Sequence, residues 1–273
     1  MKNKFTYLVF ILFLTSSWAQ QDSIAKIVVH YNYVVKGNAT KQVTYKGDFN
    51  LTVLPDYQVS IYDIKLTDFD QKEELKNDQL ILWKPKGSNL DLIYKNYNRN
   101  EMFLKEPISL RFFVQKDSLN IFEWEIKEDT KIILGYNCQL AVTKFRGRSY
   151  EAWFTSQLPI GGPWKFSDLP GMILAVKAVD GYVSWEAVGI RIKNVSSDFP
   201  MPENPFQLDK ALSWSDFKAL YKEKAIAASK FSTKEGETYT TVAPRVKIQR
   251  YIEEDDNDYT ADRALENARK ANN

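Results

Sequence analysis

Two glutamates, Glu123 and Glu125, form a carboxylate pair whose spacing could support acid–base chemistry. They flank Trp124, so in a β-strand both side chains project from one face, where one could donate and the other accept a proton. The same spacing is typical of a strand that turns its polar face to solvent and buries Phe122, Trp124 and Ile126 on the other. We favour this second interpretation, so the sequence predicts no catalytic residue.

Cys138 is the only cysteine in the chain, and His30 is the only histidine. A nucleophilic thiolate needs a basic partner, and a zinc site needs several His, Cys or carboxylate ligands. Nothing near either residue in the sequence supports such a site, and the glycine-rich phosphate and dinucleotide motifs are missing. The sequence therefore predicts a buried, structural Cys138, no internal disulfide, no metal and no cofactor.

Arg146 and Arg148 bracket Gly147 in a short turn between two apolar segments. Two guanidinium groups at such a turn could bind an anion, which makes them a candidate anion contact. The alternative, which we favour, is that both are solvated turn residues.

The elements that must position these residues are mostly strands. Turn residues separate segments of alternating or apolar character, and the polar stretch 67–78 reads as a loop or short helix. We predict an all-β fold, mainly an antiparallel meander whose curved sheet forms a half-barrel or closed barrel, with a bulge near Gly47. The predicted strands span residues 24–35, 41–54, 57–64, 81–84, 90–98, 102–104, 119–126, 131–134, 137–145, 150–155, 174–179, 183–193 and 238–251.

After residue 200 the spacing of the apolar residues changes from the two-residue period of strands to the three- or four-residue spacing of a helix. Ser213 and Asp216 have the spacing of a helix cap, which predicts one C-terminal helix over residues 213–231. The acidic residues that follow predict a mobile tail over 252–273, so residues 20–251 form one predicted domain.

The first 19 residues resemble a secretory signal peptide. Lys2 and Lys4 precede an apolar run, and the small residues Ser17 and Ala19 suit cleavage before Gln20. Removal of both lysines leaves 35 basic residues against 35 acidic ones. We expect an exported protein, periplasmic, associated with the outer membrane or secreted, with no nucleic-acid partner and no integral membrane span.

Residues 164–174 carry the most distinctive motif, which reads Trp-Lys-Phe-Ser-Asp-Leu-Pro-Gly-Met-Ile-Leu. Pro170 and Gly171 suit the two central positions of a type II turn, because proline fixes φ and glycine accepts a positive φ. The surrounding apolar side chains could form a buried corner of the sheet, or they could line the mouth of an apolar pocket or a partner surface. The candidate binding or structural residues are Trp153, Trp164, Phe166, Leu169, Pro170, Gly171 and Met172.

This motif resembles the signature of the GLPGLI family, a group of exported bacterial proteins with no assigned activity. An ordered series of shorter matches over residues 124–180 accompanies it, from Lys131–Cys138 through Ala152–Thr155 to Trp164–Phe166. Asp168 and Met172 depart from the family pattern, which has Gly and Leu there. The resemblance implies a β-rich exported protein and no particular reaction.

Three functions remain open from the sequence. We favour a non-enzymatic periplasmic or surface module that binds an apolar small molecule, a lipid or an outer-membrane protein. The alternatives are a carboxylate-dependent hydrolase and a purely structural component of the cell envelope.

Overall fold

The computed structural model describes residues 23–36, 44–64, 92–108 and 111–230 of the 273-residue chain. The predicted signal peptide 1–19, the strands 81–84 and 238–251, the stretch 67–78 and the tail 252–273 lie outside these residues. The division of the chain into domains therefore stays a prediction. No helix in the described ranges is long and apolar enough to cross a membrane.

Eleven strands, two 3-10 turns and one α-helix make up the described part of the chain. The mostly antiparallel β architecture with one C-terminal helix confirms the predicted fold class. The strands are β1 (Ser23–Lys36), β2 (Thr44–Leu54), β3 (Val59–Ile64), β4 (Ile93–Asn96), β5 (Glu101–Ile108), β6 (Arg111–Asp117), β7 (Glu125–Ile133), β8 (Tyr136–Phe145), β9 (Arg148–Thr155), β10 (Met172–Ala178) and β11 (Val183–Ser196), and the helix is α1 (Trp214–Lys230).

All eleven strands belong to one open antiparallel sheet in the order β6-β5-β4-β3-β2-β1-β11-β10-β9-β8-β7. Strands β1–β6 form one half of the sheet and β7–β11 the other, and within each half consecutive strands pair. The pairing of β1 with β11 joins the two halves. The predicted bulge near Gly47 is wrong, because β2 pairs with β1 without interruption from Val53 to Thr44. The register instead shifts where His30 faces Gly189 and Tyr31 faces Ala187, which leaves Val188 of β11 without a partner in β1.

Alternation along the strands gives the sheet an apolar inner face. Alternate side chains of Ile27–Tyr31 in β1, Phe49–Val53 in β2 and Tyr150–Phe154 in β9 are buried in one continuous core, as a strand period of two requires. Tyr31, Leu51 and Tyr150 belong to it, as does Trp185 of β11, whose indole N–H donates to the Tyr62 hydroxyl at 2.9 Å. Aromatic side chains thus contribute many of the contacts in this core.

Residues 158–171, the inner segment, run across the inner face between β9 and β10. Trp164, Phe166 and Leu169 are buried there. The amide of Ile173 donates to the Gly161 carbonyl at 2.8 Å, and the Ser167 hydroxyl donates to the Leu119 carbonyl at 2.7 Å. The motif therefore packs inside the sheet, and the choice between a structural and a binding role for it stays a prediction.

The turn at the end of the inner segment differs from the predicted type II turn. The Gly171 amide donates to the Leu169 carbonyl at 2.7 Å, which closes a γ-turn centred on Pro170. Gly171 has φ +141°, so the predicted positive φ is confirmed. Asp168, where the chain departs from the GLPGLI pattern, also has a positive φ, of 70°.

The helix and the chain before it cover one edge of the sheet. Leu212 exchanges backbone hydrogen bonds with β6, donating to Val114 and accepting from Lys116, both at 2.8 Å. The Ser213 hydroxyl oxygen accepts from the Asp216 amide at 3.1 Å, which confirms the predicted helix cap. Phe217 and Tyr221 of α1 then pack on Ile108 at the end of β5.

The region between β5 and β8 departs most from the predicted strands. β6 was not predicted, and the predicted strand 119–126 is wrong, because residues 118–124 have no regular structure. Leu119 and Phe122 are buried here, while Ile126, predicted to be buried, is 46% exposed. Leu119 and Phe122 are three residues apart, so their burial does not follow the two-residue period of a strand, and this stretch connects the edge strands β6 and β7.

Candidate functional site

Four charged side chains and one amide meet at the inner face near the β6 edge and form the polar cluster: Glu106, Asp117, Arg146, Lys165 and Gln115. They come from four separate parts of the chain, namely β5, β6, the turn after β8 and the inner segment. Glu106 is in phase with the buried residues Met102 and Leu104 of β5, and Gln115 and Asp117 face β5 at Leu104 and Met102. The sheet register therefore sets Gln115 and Asp117 on the inner face as well.

Arg146 connects the β8–β9 turn to β6 and α1. Its guanidinium lies 3.3 Å from the Asp117 carboxylate, and both side chains are 6% exposed. The Asp117 carboxylate also accepts from the Gln115 amide at 3.0 Å. The Trp214 ring covers the guanidinium at 3.6 Å, a cation–π contact. Burial lowers the pKa of Arg146, and the negative charges of Asp117 and Glu106 oppose that shift.

Lys165 projects from the inner segment to Glu106. Its ammonium group is fully buried and lies 2.6 Å from the Glu106 carboxylate, which is 24% exposed. Burial lowers the pKa of Lys165, and Glu106 counteracts this effect. Glu106 is therefore the carboxylate of the polar cluster that solvent reaches most readily, and Lys165 fixes its position.

Arg146 and Arg148, the candidate anion contacts, do not lie in solvent. Arg148 pairs with the Asp180 carboxylate, and its guanidinium lies 4.3 Å from the Tyr182 ring. The interpretation of both arginines as solvated turn residues is wrong, since their side chains are buried against carboxylates and aromatic rings. Whether either contacts an anion stays a prediction.

The structure separates the other predicted residues into three places. Trp164, Phe166, Leu169, Gly171 and Met172 lie together inside the sheet, whereas Pro170 is exposed. Trp153 is half-buried and out of phase with the core residues of β9, with Lys131 at 4.3 Å from its ring. Glu123 and Glu125 are both exposed, as the favoured interpretation of this pair predicted.

Cys138 is fully buried, as predicted. Burial raises the pKa of its thiol. Across the described ranges, no group of three or more His, Cys, Asp and Glu side chains could hold a metal ion.

Sequence reasoning missed every member of the polar cluster except Arg146. A sequence does not distinguish a buried charged residue from an exposed one, because the residue types are the same. The members of the polar cluster also lie far apart in the chain. Two signals could have found them: Glu106 continues the apolar alternation of Met102 and Leu104, and Lys165 lies between the aromatic residues Trp164 and Phe166.

Residues 99–216 match the family model of the N-glycanase peptide, N-terminal domain. The matched range holds β5–β11, the inner segment, Trp214 and every member of the polar cluster. A comparison with curated proteins finds no match.

Among solved structures, PNGF-II in the P21 space group is similar to 73% of this chain at 17% identity, with a TM-score of 0.44. PNGF-II in the C2 space group is similar to 74% of it at 15% identity, with a TM-score of 0.45. This chain spans about a third of those chains, 34% and 33%. An uncharacterized conserved protein from Thermus thermophilus is similar over 69% of this chain and 90% of its own, at 7% identity and a TM-score of 0.34.

The family match corrects two predictions. The assignment to the GLPGLI family is wrong, because the model that matches is that of the N-glycanase N-terminal domain, and its range encloses residues 124–180 on which the resemblance rested. The prediction of a non-enzymatic module for an apolar ligand or an envelope partner is also wrong, because the matching family is named for an enzyme.

Proposed function

We propose that this chain is an N-glycanase-type module that acts on N-linked glycoproteins. The observation that carries the proposal is the family match over residues 99–216, which encloses the whole polar cluster. A buried set of charges that spans four elements is costly to assemble, because each charge must be withdrawn from water. Such sets are more common at working sites than elsewhere on a fold.

Glu106 is the group in the cluster best placed to meet a substrate. Release of an N-linked glycan by hydrolysis of its amide bond requires a group that takes a proton from water or gives one to the leaving nitrogen. A carboxylate can do both, and Glu106 combines partial exposure with a fixed partner, Lys165, at 2.6 Å. Asp117 and Gln115 are buried behind it and support Arg146.

The proposal covers substrate binding as well as cleavage. The chain spans about a third of the PNGF-II chains, so its share of the reaction could lie in holding the glycan-bearing peptide next to further catalytic groups. Whether the chain cleaves the glycan or only binds it, we expect the polar cluster to discriminate a glycosylated from an unglycosylated peptide.

Export would bring the protein to its substrates. We propose that cleavage before Gln20 releases it from the cytoplasmic membrane, as the pattern of residues 1–19 predicts. N-terminal sequencing of the protein from an envelope fraction tests this step. A mature protein that begins at Met1 would contradict it.

Binding to a matched pair of peptides tests the proposal itself. One peptide carries an N-linked glycan on a single asparagine, and the other has the same sequence without the glycan. We expect the full chain to bind the glycopeptide at least about tenfold more tightly, a difference of about 1.4 kcal/mol, or to release its glycan. Equal affinity for both peptides without glycan release would overturn the proposal.

A further inference from the structure

Lys95 is a fully buried lysine on the inner face of β4. It faces Ser60 on β3 and Met102 on β5, and it is in phase with the buried side chain of Ile93. It therefore projects into the core, although a lysine at this position would ordinarily point its charge to water.

The Lys95 amine holds the inner segment at two points. It donates to the Gly162 carbonyl at 3.0 Å and to the Phe166 carbonyl at 2.6 Å. These two carbonyls lie on either side of Trp164, a non-glycine residue in the left-handed region at φ 47°. Such a backbone conformation costs free energy and persists only where other contacts maintain it.

Lys95 differs from Lys165, the other fully buried lysine of the described residues. Lys165 lies 2.6 Å from the Glu106 carboxylate. Within the described ranges, no carboxylate lies within ion-pair distance of Lys95, so a proton on its amine adds a buried charge with only carbonyl partners.

We propose that Lys95 is a proton-controlled latch: as an uncharged amine it holds the inner segment on the sheet, and proton uptake favours opening of that segment. The inference goes beyond the proposed function and does not depend on it. Opening would bring water to Lys95 and release the backbone of residues 162–166 from its two hydrogen bonds.

Protonation weakens the latch because the charged form is the one that burial penalises. Burial lowers the pKa of Lys95 to about 7 from its ordinary value of 10.5. An opened segment would expose the amine and restore the ordinary value, so the open form binds a proton that the closed form lacks between about pH 7 and 10.5. The opening equilibrium should then increase about tenfold for each pH unit of acidification in this range and level off below pH 7.

Other titratable groups lie on the surrounding elements. Burial lowers the pKa of Lys165 on the inner segment itself, and Glu106 opposes that shift. Burial raises the pKa of Tyr31, whose hydroxyl donates to the Ile173 carbonyl at 2.5 Å. Glu106 and Asp117 lie in ion pairs with Lys165 and Arg146. Burial raises the pKa of Tyr97, beside Ser60, to about 12, which is above the range concerned. Tyr62 accepts a hydrogen bond from the Trp185 indole. Asp168 of the inner segment is exposed, and partial burial of its carboxyl raises its pKa from the ordinary 3.8.

Amide hydrogen exchange of the full chain between pH 7 and 9.5 tests the latch. The reporters are the Phe166 and Ile173 amides, which donate to the Pro163 and Gly161 carbonyls. When exchange is limited by a pre-equilibrium opening, the observed rate is the opening constant multiplied by the intrinsic rate. The intrinsic rate rises with pH as the opening constant falls, so we expect an almost constant rate for both amides.

Amides of the β7–β8 hairpin, Thr130–Gln139, provide the internal reference, and their rates should rise about tenfold per pH unit. The Lys95→Met variant should give the inner-segment amides that same rise, whereas Lys177→Met, at an exposed lysine of β10, should leave their rate constant. A rise in the wild-type inner segment equal to that of the hairpin overturns the latch. A constant rate that persists in Lys95→Met overturns it as well. The comparison within the wild type can overturn the latch even where a variant fails to fold.

Discussion

The indole rings of Trp164 and Trp185 lie nearly parallel inside the sheet, with their centroids 5.8 Å apart and an angle of 17° between their planes. Trp164 belongs to the inner segment and Trp185 to β11, so this stack fixes the segment to the middle of the sheet. The Trp185 indole in turn donates to Tyr62 of β3. A line of aromatic contacts thus extends from the inner segment across both halves of the fold.

We expect Trp164→Ala to lower the free energy of unfolding by about 3–5 kcal/mol, because it leaves a cavity between Phe166, Phe145 and Trp185. Trp153→Ala is the matched control, since this half-buried indole should cost about 1 kcal/mol. Urea unfolding of both variants measures the difference. Equal costs would contradict the role of Trp164 as the anchor of the inner segment.

Gly171→Ala should destabilise the fold strongly, because a Cβ atom there would lie 2.1 Å from the Thr155 carbonyl oxygen. Gly135→Ala separates this clash from backbone strain. Gly135 also has a positive φ, +85°, but nothing lies within 4 Å of its Cβ position. We expect a cost of about 1 kcal/mol at Gly135 and a larger one at Gly171, seen as a larger drop in Tm. Similar drops in both variants would show that the close approach to Thr155 is unimportant.

Cys138 should react slowly with maleimide, because the thiol is buried and burial raises its pKa. Labelling under native conditions, compared with labelling in urea, measures this protection. Cys138→Ala should cost about 1–2 kcal/mol through lost packing. Rapid labelling of the native protein would contradict the buried position of Cys138.

Lys95 should make stability increase with pH. Its pKa of about 7 in the folded protein lies below the ordinary 10.5, so the unfolded chain binds one more proton between these values. The free energy of unfolding should rise by up to about 1.4 kcal/mol per pH unit in that window and be independent of this group below pH 7. Urea titrations from pH 7 to 9.5 should give a smaller slope for Lys95→Met than for the wild type. The same slope in both would contradict the assignment.

Local sequence signals predicted local structure well. Asp180-Gly181 forms the turn between β10 and β11, with the Gly181 amide donating to the Ala178 carbonyl at 2.8 Å. Arg146-Gly147 forms the turn between β8 and β9, and both residues have the positive φ that such two-residue turns require. In each case the residues that determine the structure are neighbours in the chain.

Contacts between distant residues were not predictable in this way. The pairing of β1 with β11 joins residues far apart in sequence, and the polar cluster draws its side chains from four elements. The burial of Arg146 depends on Trp214 of α1 and Asp117 of β6, which no local pattern associates with the β8–β9 turn. Short motifs also misassigned the family, since the residues of the motif at 164–174 mainly fill the core.

Glu106 carries the central claim that the polar cluster serves an N-glycanase-type function. Glu101 is its matched control, because it lies on β5 out of phase with Glu106 and also pairs with a lysine, Lys116, at 2.6 Å. Both variants, Glu106→Gln and Glu101→Gln, keep the shape of the side chain and remove one charge.

Mass spectrometry of an N-glycopeptide incubated with the full chain, combined with its affinity for that peptide, is the most direct measurement. We predict that Glu106→Gln lowers glycan release, or glycan-dependent binding, at least about tenfold, which corresponds to about 1.4 kcal/mol, while Glu101→Gln leaves both unchanged. Thermal melts confirm that each variant is folded. A folded Glu106→Gln variant that equals the wild type in both readouts, or a wild-type chain that neither releases nor recognises the glycan, would contradict the account.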